Sequence, residues 1–265
     1  MPAHQLQVNY RSTDMIVDYT RTLGIYADLR AFRKERPYPL LPEVPLEVTS
    51  PWVRAVLDPS REVHTLVHRR EGERATSPLE ATLAAEVVAG FFAQMGVKSA
   101  AEERAFWAEH VGVVAPHNAQ GRQIIREIKA RLGGGEGAVR RSSLDDAELD
   151  RCLRQTVYSV EKFQGSDRTF IVASMGISAR DQLMAEEEFI YGLSRFNVLT
   201  SRAKQKMLLL CSRTFLDYIP GDRDIMACAS RIRSYAMDFC DRESAVEVLA
   251  ETGAAETLNW RYREG

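Results

Sequence analysis

Between two apolar stretches, residues 156–160 and 170–175, lies the run Ser159-Val160-Glu161-Lys162-Phe163-Gln164-Gly165-Ser166-Asp167. It reads as strand, glycine-containing loop, strand. Gly165 has no Cβ, so backbone N–H groups there can come close to a ligand phosphate. Asp167, just beyond, can hydrogen-bond a sugar hydroxyl. A second segment, Val111-Gly112-Val113-Val114-Ala115-Pro116-His117-Asn118-Ala119-Gln120, ends a strand and opens a helix. Loops at the carboxyl ends of strands build the sites of α/β sheets, and a helix N-terminus favours a phosphate.

The elements that must hold these residues follow from periodicity. Residues 15–32 carry Ile16, Tyr19, Leu23, Tyr26 and Leu29 at helical spacing, with a break near Gly24. The proline-rich residues 37–51 must run extended or looped. Residues 63–68 read as a strand. Ser77, Pro78 and Glu80 form a helix start: Ser77 caps, Pro78 takes the first helical position and Glu80 closes a capping box. Residues 111–115 have the short β-branched character of a strand buried on both faces. Residues 121–132 form an amphipathic helix with Ile124, Ile125, Ile128 and Leu132 inward. Gly133–Gly137 then opens a flexible loop through about Asp150. Further strands are expected at 156–160, 170–175 and 207–211, with residues 181–204 mostly helical. Strands alternating with helices predict an α/β fold with a parallel sheet flanked by helices. Pro220-Gly221 breaks the pattern, and residues 225–249 read as a helical tail. The expected division is 1–218 for the α/β domain and 219–265 for the tail.

Two more segments complete a set of four: Leu6-Gln7-Val8-Asn9-Tyr10-Arg11-Ser12 and Arg195-Phe196-Asn197-Val198-Leu199-Thr200-Ser201-Arg202-Ala203-Lys204. Together and in this order, they resemble the second RecA-like motor domain of superfamily 1B helicases. That group includes the nonsense-mediated-decay helicase and the helicase-nucleases of replication. Its corresponding patterns are QYRM, a V-x-x-PYxxQ strand end, TVDxFQGxE and NVAxTRA. The likeness spans roughly residues 6–218. A superfamily 1A helicase fits less well, since that group has a KGLE-like run where this chain has FQGSD.

The resemblance implies a RecA-like, P-loop-NTPase-type sheet and an ATP-dependent helicase that moves 5′ to 3′. It makes Arg11 and Arg202 the catalytic arginines. Phosphoryl transfer leaves negative charge on the transferred oxygens, and a guanidinium supplied from a second domain stabilises it by about 10³ to 10⁵ in rate. Lysine lacks the fork geometry to replace it. By the same resemblance Gln164, Gly165 and Asp167 complete the nucleotide pocket, with Asp167 where the family has a ribose-contacting Glu. Pro116, His117, Asn118, Gln120, Ser159 and Thr200 contact single-stranded nucleic acid. His117 and Asn118 stand where the family has Tyr and Arg; His117 can still stack or donate to phosphate, while Asn118 brings no cation.

The chain lacks G-x-x-x-x-G-K-[ST] and a strand-terminal Asp-Glu pair, the phosphate cradle and magnesium ligand of a P-loop ATPase. ATP and Mg²⁺ are therefore expected to be held largely by a first motor domain, upstream in cis or on a separate chain. Residues 1–265 alone are expected to hydrolyse no ATP at a useful rate. A rival of another class is a degenerate RecA-like module that binds nucleic acid or a partner protein without ATPase activity.

The 265 residues are 45% hydrophobic and 27% charged, an ordinary globular balance. Net charge is -2, so any nucleic-acid surface must come from local clustering. No apolar run is long enough for a bilayer, and the N-terminus lacks a signal-peptide layout. Cys152, Cys211, Cys228 and Cys240 show no C-x-x-C spacing, so neither a disulfide framework nor a zinc site is expected. A cytoplasmic protein is the expectation.

Overall fold

The computed structural model describes residues 7–24, 28–32, 40–133, 141–159 and 167–264, with only the backbone of residues 199 and 200. Gln164, Gly165 and the Thr200 side chain lie outside the described residues. The chain opens with β1 (Val8–Asn9), α1 (Asp14–Arg21) and β2 (Arg30–Ala31). β1 and β2 form a separate parallel ladder. The helix expected over residues 15–32 is thus shorter: Gly24 has φ of 72°, a left-handed conformation that ends it.

The proline-rich stretch ends in an unforeseen helix, α2 (Pro51–Leu57), with its proline in the first turn. Then come β3 (Arg61–His68), α3 (Pro78–Gln94), α4 (Ala100–Ala105) with a π-type turn at Phe106–His110, β4 (Val111–Ala115) and α5 (Asn118–Leu132). Helix α6 (Asp146–Arg154) occupies the end of the expected flexible loop, because Asp145 caps it by accepting from Glu148 N. β5 (Val157–Ser159), β6 (Arg168–Ser174), α7 (Arg180–Ala185), α8 (Glu187–Ile190), α9 (Leu193–Thr200), β7 (Ala203–Ser212), α10 (Arg213–Asp217) and α11 (Arg223–Met237) follow.

β5, β4, β6, β7 and β3 lie side by side in that order, all parallel. The α/β class with helices on both faces is as expected. Successive strand residues point to opposite faces, and the two cores divide accordingly. Phe170, Val172, Leu208 and Leu210 pack beneath α2, α3, α5 and α6. Ile171, Ala173, Met207 and Leu209 face α1 and α7–α11. β4 and β6 are buried along their whole length.

The helical tail is a correction. Only α11 is helical; β8 (Arg242–Leu249) and β9 (Ala255–Glu264) then form a hairpin, and β9 adds antiparallel to β3. Residues 242–264 repeat at two rather than 3.6. Val246 and Val248 on β8, and Leu258, Trp260 and Tyr262 on β9, pack on the first core. Gly253, with φ of 79°, makes the turn.

Two buried contacts fix α2. Lys206 on β7 is 1% exposed, and its Nζ donates to Val56 O and Asp58 O at 2.9 Å each, and to Arg61 O. It thereby satisfies carbonyls left over at the helix end. A Cβ on Gly90 of α3 would stand 2.6 Å from Val53 Cγ1 and 3.0 Å from Leu57 Cδ1. Gly90→Ala is accordingly expected to lower unfolding stability by about 1–3 kcal/mol, the range of overpacked cores. Denaturant titration checks it, and an unchanged midpoint would show that the α2–α3 contact has slack.

Candidate functional site

The predicted residues divide between opposite ends of the parallel strands. Where β6 and β7 begin, the loop after β1 is fastened to both. Asn9 Oδ1 accepts from Arg11 N at 2.7 Å and Ser12 N at 3.1 Å, an Asx turn. Ser12 Oγ donates to Ala203 O at 2.8 Å, and Thr13 N to Lys204 O at 2.9 Å. Arg168 N donates to Arg202 O at 3.0 Å. Arg11, Asp167 and Arg202, far apart in sequence, are thereby brought together. Arg11 Nη1 donates to Asp167 Oδ1, and Arg202 Nη1 lies 3.7 Å from the same oxygen. Arg202 Nε is buried and makes no hydrogen bond among the described residues. Two guanidiniums against one carboxylate leave a positive surplus with spare donors, a setting that suits a multiply charged anion.

Both arginines border a cavity of about 390 Å³, with Asn9, Asn197 and Ser201 also on its wall. Tyr10, on the cavity wall and 67% exposed, meets the 53% exposed Phe32 with ring centroids 4.3 Å apart and the rings tilted by 34°. The β1–β2 ladder makes this pair: Asn9 pairs with Ala31, and Phe32 N donates to Asn9 O. An exposed aromatic face beside two cations can take a flat ring. Neither ring was foreseen as part of a site, since nothing in the sequence shows that residues 10 and 32 meet. The two guanidiniums on the cavity wall are the donor set that a phosphate group needs. For magnesium, the described residues offer no group of three His, Cys, Asp or Glu side chains placed to hold a cation.

The carboxyl ends of β4 and β5 form the other end, about 20 Å away along the strands by the rise of a seven-residue strand. His117, Asn118 and Ser159 share a groove of about 420 Å³ there with Arg122, Arg154 and Tyr158. His117 Nε2 lies 2.7 Å from Glu186 Oε2, and its ring is 5.9 Å from that of Phe189. Arg122 stands one helical turn after Asn118, on the same side of α5. That i+4 spacing is the signal in the sequence that could have found it.

Pro116 and Gln120 have a different place. Pro116 is buried behind the groove. Gln120 is fully buried; its Oε1 accepts from Ser77 N at 2.8 Å, and its Nε2 donates to Ser77 O and Ser174 Oγ. It is a brace between α3, α5 and β6 rather than a surface contact. It also takes the N–H that a capping box would give to Glu80. Ser77 still caps α3 by accepting from Glu80 N. The Glu80 side chain turns inward, fully buried, and accepts from Ser174 Oγ at 2.7 Å and Gly176 N at 2.9 Å, with His68 Nε2 at 3.0 Å. Gly176 has φ of 64°, and a Cβ there would press on Gln120 at 3.0 Å.

Glu73 lies beside this network, 4.0 Å from His68 Nε2. Burial raises its pKa above the ordinary 4.5, with the Glu80 charge adding to that and His68 opposing it. A carboxyl whose folded pKa is raised contributes stability below its unfolded value, and loses it as pH rises through the folded one. Glu73→Gln is therefore expected to raise the melting temperature at pH 7 relative to wild type, with the gain vanishing below pH about 4.5. Calorimetry across that interval checks the sign; a gain that is constant with pH would remove the ionisation as its cause.

No helix among the described residues is long and apolar enough to cross a membrane. Across 179 residues the chain is 25% identical to the DNA replication ATP-dependent helicase/nuclease JHS1 of Arabidopsis thaliana. That alignment covers 65% of this chain and 11% of the relative, so the chain spans about a tenth of that protein. The family model described as "AAA domain" matches residues 1–214, from the β1 ladder through α10. The chain belongs to that AAA domain family.

Proposed function

We propose that this chain is the second RecA-like motor domain of a superfamily 1B helicase, working with a first, P-loop-bearing domain in cis or in trans. The convergence of Arg11 and Arg202 beside one cavity carries the reading. A module that only bound strands or proteins would have no use for two guanidiniums aimed at one point. ATP supplies the phosphoanhydride bond. This chain's part is to place two guanidinium forks against the charge that develops on the transferred oxygens. Tyr10 offers a face for the base. Gln164 and Gly165 belong to the same proposed pocket. The first domain holds the magnesium.

The groove at the carboxyl ends of β4 and β5 takes single-stranded nucleic acid, through His117, Asn118 and Ser159 with Arg122 and Arg154 added; Thr200, two residues before Arg202 at the end of α9, stands at the other end of the sheet and is not part of that groove. Separation of the two sites by a rigid sheet suits a motor. Closure on the γ-phosphate at one end moves the strand-holding end as a body, a two-state change driven by contacts made in only one state. The relative's name supports such an assignment by likeness.

Arg122 makes no ion pair among the described residues, so it is available to a phosphate. Arg122→Ala is expected to weaken binding of a homopolymeric single strand and to reduce the slope of log K against log salt by about 0.7, one released counterion. Fluorescence titrations of residues 1–265 at several salt concentrations read this. An unchanged slope would remove the groove from the strand path.

A further inference from the structure

The two arginines have a third party between them. Arg11 and Arg202 both meet a single oxygen, Asp167 Oδ1. The Asp167 side chain is 24% exposed, so it can leave this position without breaking a core. One carboxylate oxygen cannot satisfy two five-donor forks, and Arg202 Nε is left buried with no hydrogen bond among the described residues. A terminal phosphate, with three oxygens and more charge, can satisfy both.

From this we infer that Asp167 is a positioning residue that stands in for the phosphate: it holds Arg11 and Arg202 converged and competes with the incoming anion for them. This rests on the proposed arginine role and adds to it how the site is kept before nucleotide arrives. Without a shared anion, two guanidiniums this close would repel and swing toward solvent. With Asp167 present they are pre-aligned, and phosphate entry is an exchange of one anion for another. The exchange sets a threshold: a weakly charged anion does not displace the carboxylate, and a polyphosphate does.

The probe is tripolyphosphate, which has no ribose and so separates competition from any sugar contact. Calorimetric titration of residues 1–265 at low salt, without magnesium, compares wild type, Asp167→Asn, Asp167→Glu, and Arg11→Ala/Arg202→Ala in the wild-type and Asp167→Asn backgrounds. Removing the competing charge is expected to tighten tripolyphosphate by about tenfold in Asp167→Asn. Asp167→Glu keeps the carboxylate and should bind as weakly as wild type. The arginine replacements should abolish binding in both backgrounds. If Asp167→Asn binds no tighter while the arginines still matter, the competitor role is overturned and the arginine reading survives. If binding is indifferent to the arginines, or absent from every variant, both fall.

Discussion

Arg202→Ala is expected to lower ATP turnover of the complete two-domain motor by about 10³-fold or more, a loss of roughly 4 kcal/mol of transition-state stabilisation. The expected size comes from the position. Arg202 stands at the start of β7, its carbonyl bound by Arg168 N and its guanidinium 22% exposed. The backbone there is set by the sheet, so the side chain is held to one cavity and pays little ordering entropy when it engages. Turnover should fall far more than substrate affinity, because the charge it meets develops in the transition state. Arg202→Lys should recover little, as a single ammonium cannot replace a fork. Arg11 is more exposed, at 40%, and Arg11→Ala should cost less. Because both aim at one point, the double replacement should cost less than the product of the two. Steady-state kinetics of the four variants decides this; wild-type turnover in Arg202→Ala would refute the catalytic assignment.

Glu80→Ala should be the most destabilising of the single changes considered, at about 3–5 kcal/mol, because it leaves buried partners without their charge. For a chain of this size that is a melting temperature lower by roughly 6–20 °C. Ser174 Oγ, Gly176 N and the His68 ring all lose their acceptor, and none can reach water. Glu80→Gln keeps the volume but turns an amide N–H₂ toward one of those donors, so an intermediate loss is expected. The effect should also reach function. Ser174 and Ser77 are the partners of Gln120, which braces the first turn of α5 and hence the His117–Asn118 side of the proposed strand groove. Thermal melts of both variants, with strand affinity measured well below the transition, test the pair. A loss under 1 kcal/mol would mean that the network is not under load.

The parallel core could be read from the sequence because its strands carry an unambiguous local signal. Val111-Gly112-Val113-Val114-Ala115 and Phe170-Ile171-Val172-Ala173 are short, apolar and bounded by polar turns. The C-terminal hairpin was harder to read. Arg242–Leu249 places Glu, Ala and Val where either period has partial support, and only pairing of β9 with β3 decides between them. Glu80 shows the same limit at a single residue. Its spacing from Ser77 matches a capping box, but a buried His and Ser across the sheet, invisible in sequence, claim the carboxylate. Gln120 was placed at the surface by motif and is held inside by three distant atoms. Arg11, Asp167 and Arg202 were each legible from their own segments, while their meeting at one oxygen is a product of the fold. Arg122 was passed over because its signal lies one turn beyond the motif.

The most direct test of the central claim is single-strand-stimulated ATP hydrolysis by the P-loop domain that the proposed function requires, measured with and without residues 1–265. The account predicts negligible turnover by residues 1–265 alone, and strand-stimulated turnover only when both parts are present with Arg202 intact. Turnover comparable to an intact motor by residues 1–265 alone, or hydrolysis by the P-loop domain that their addition does not change, would contradict it.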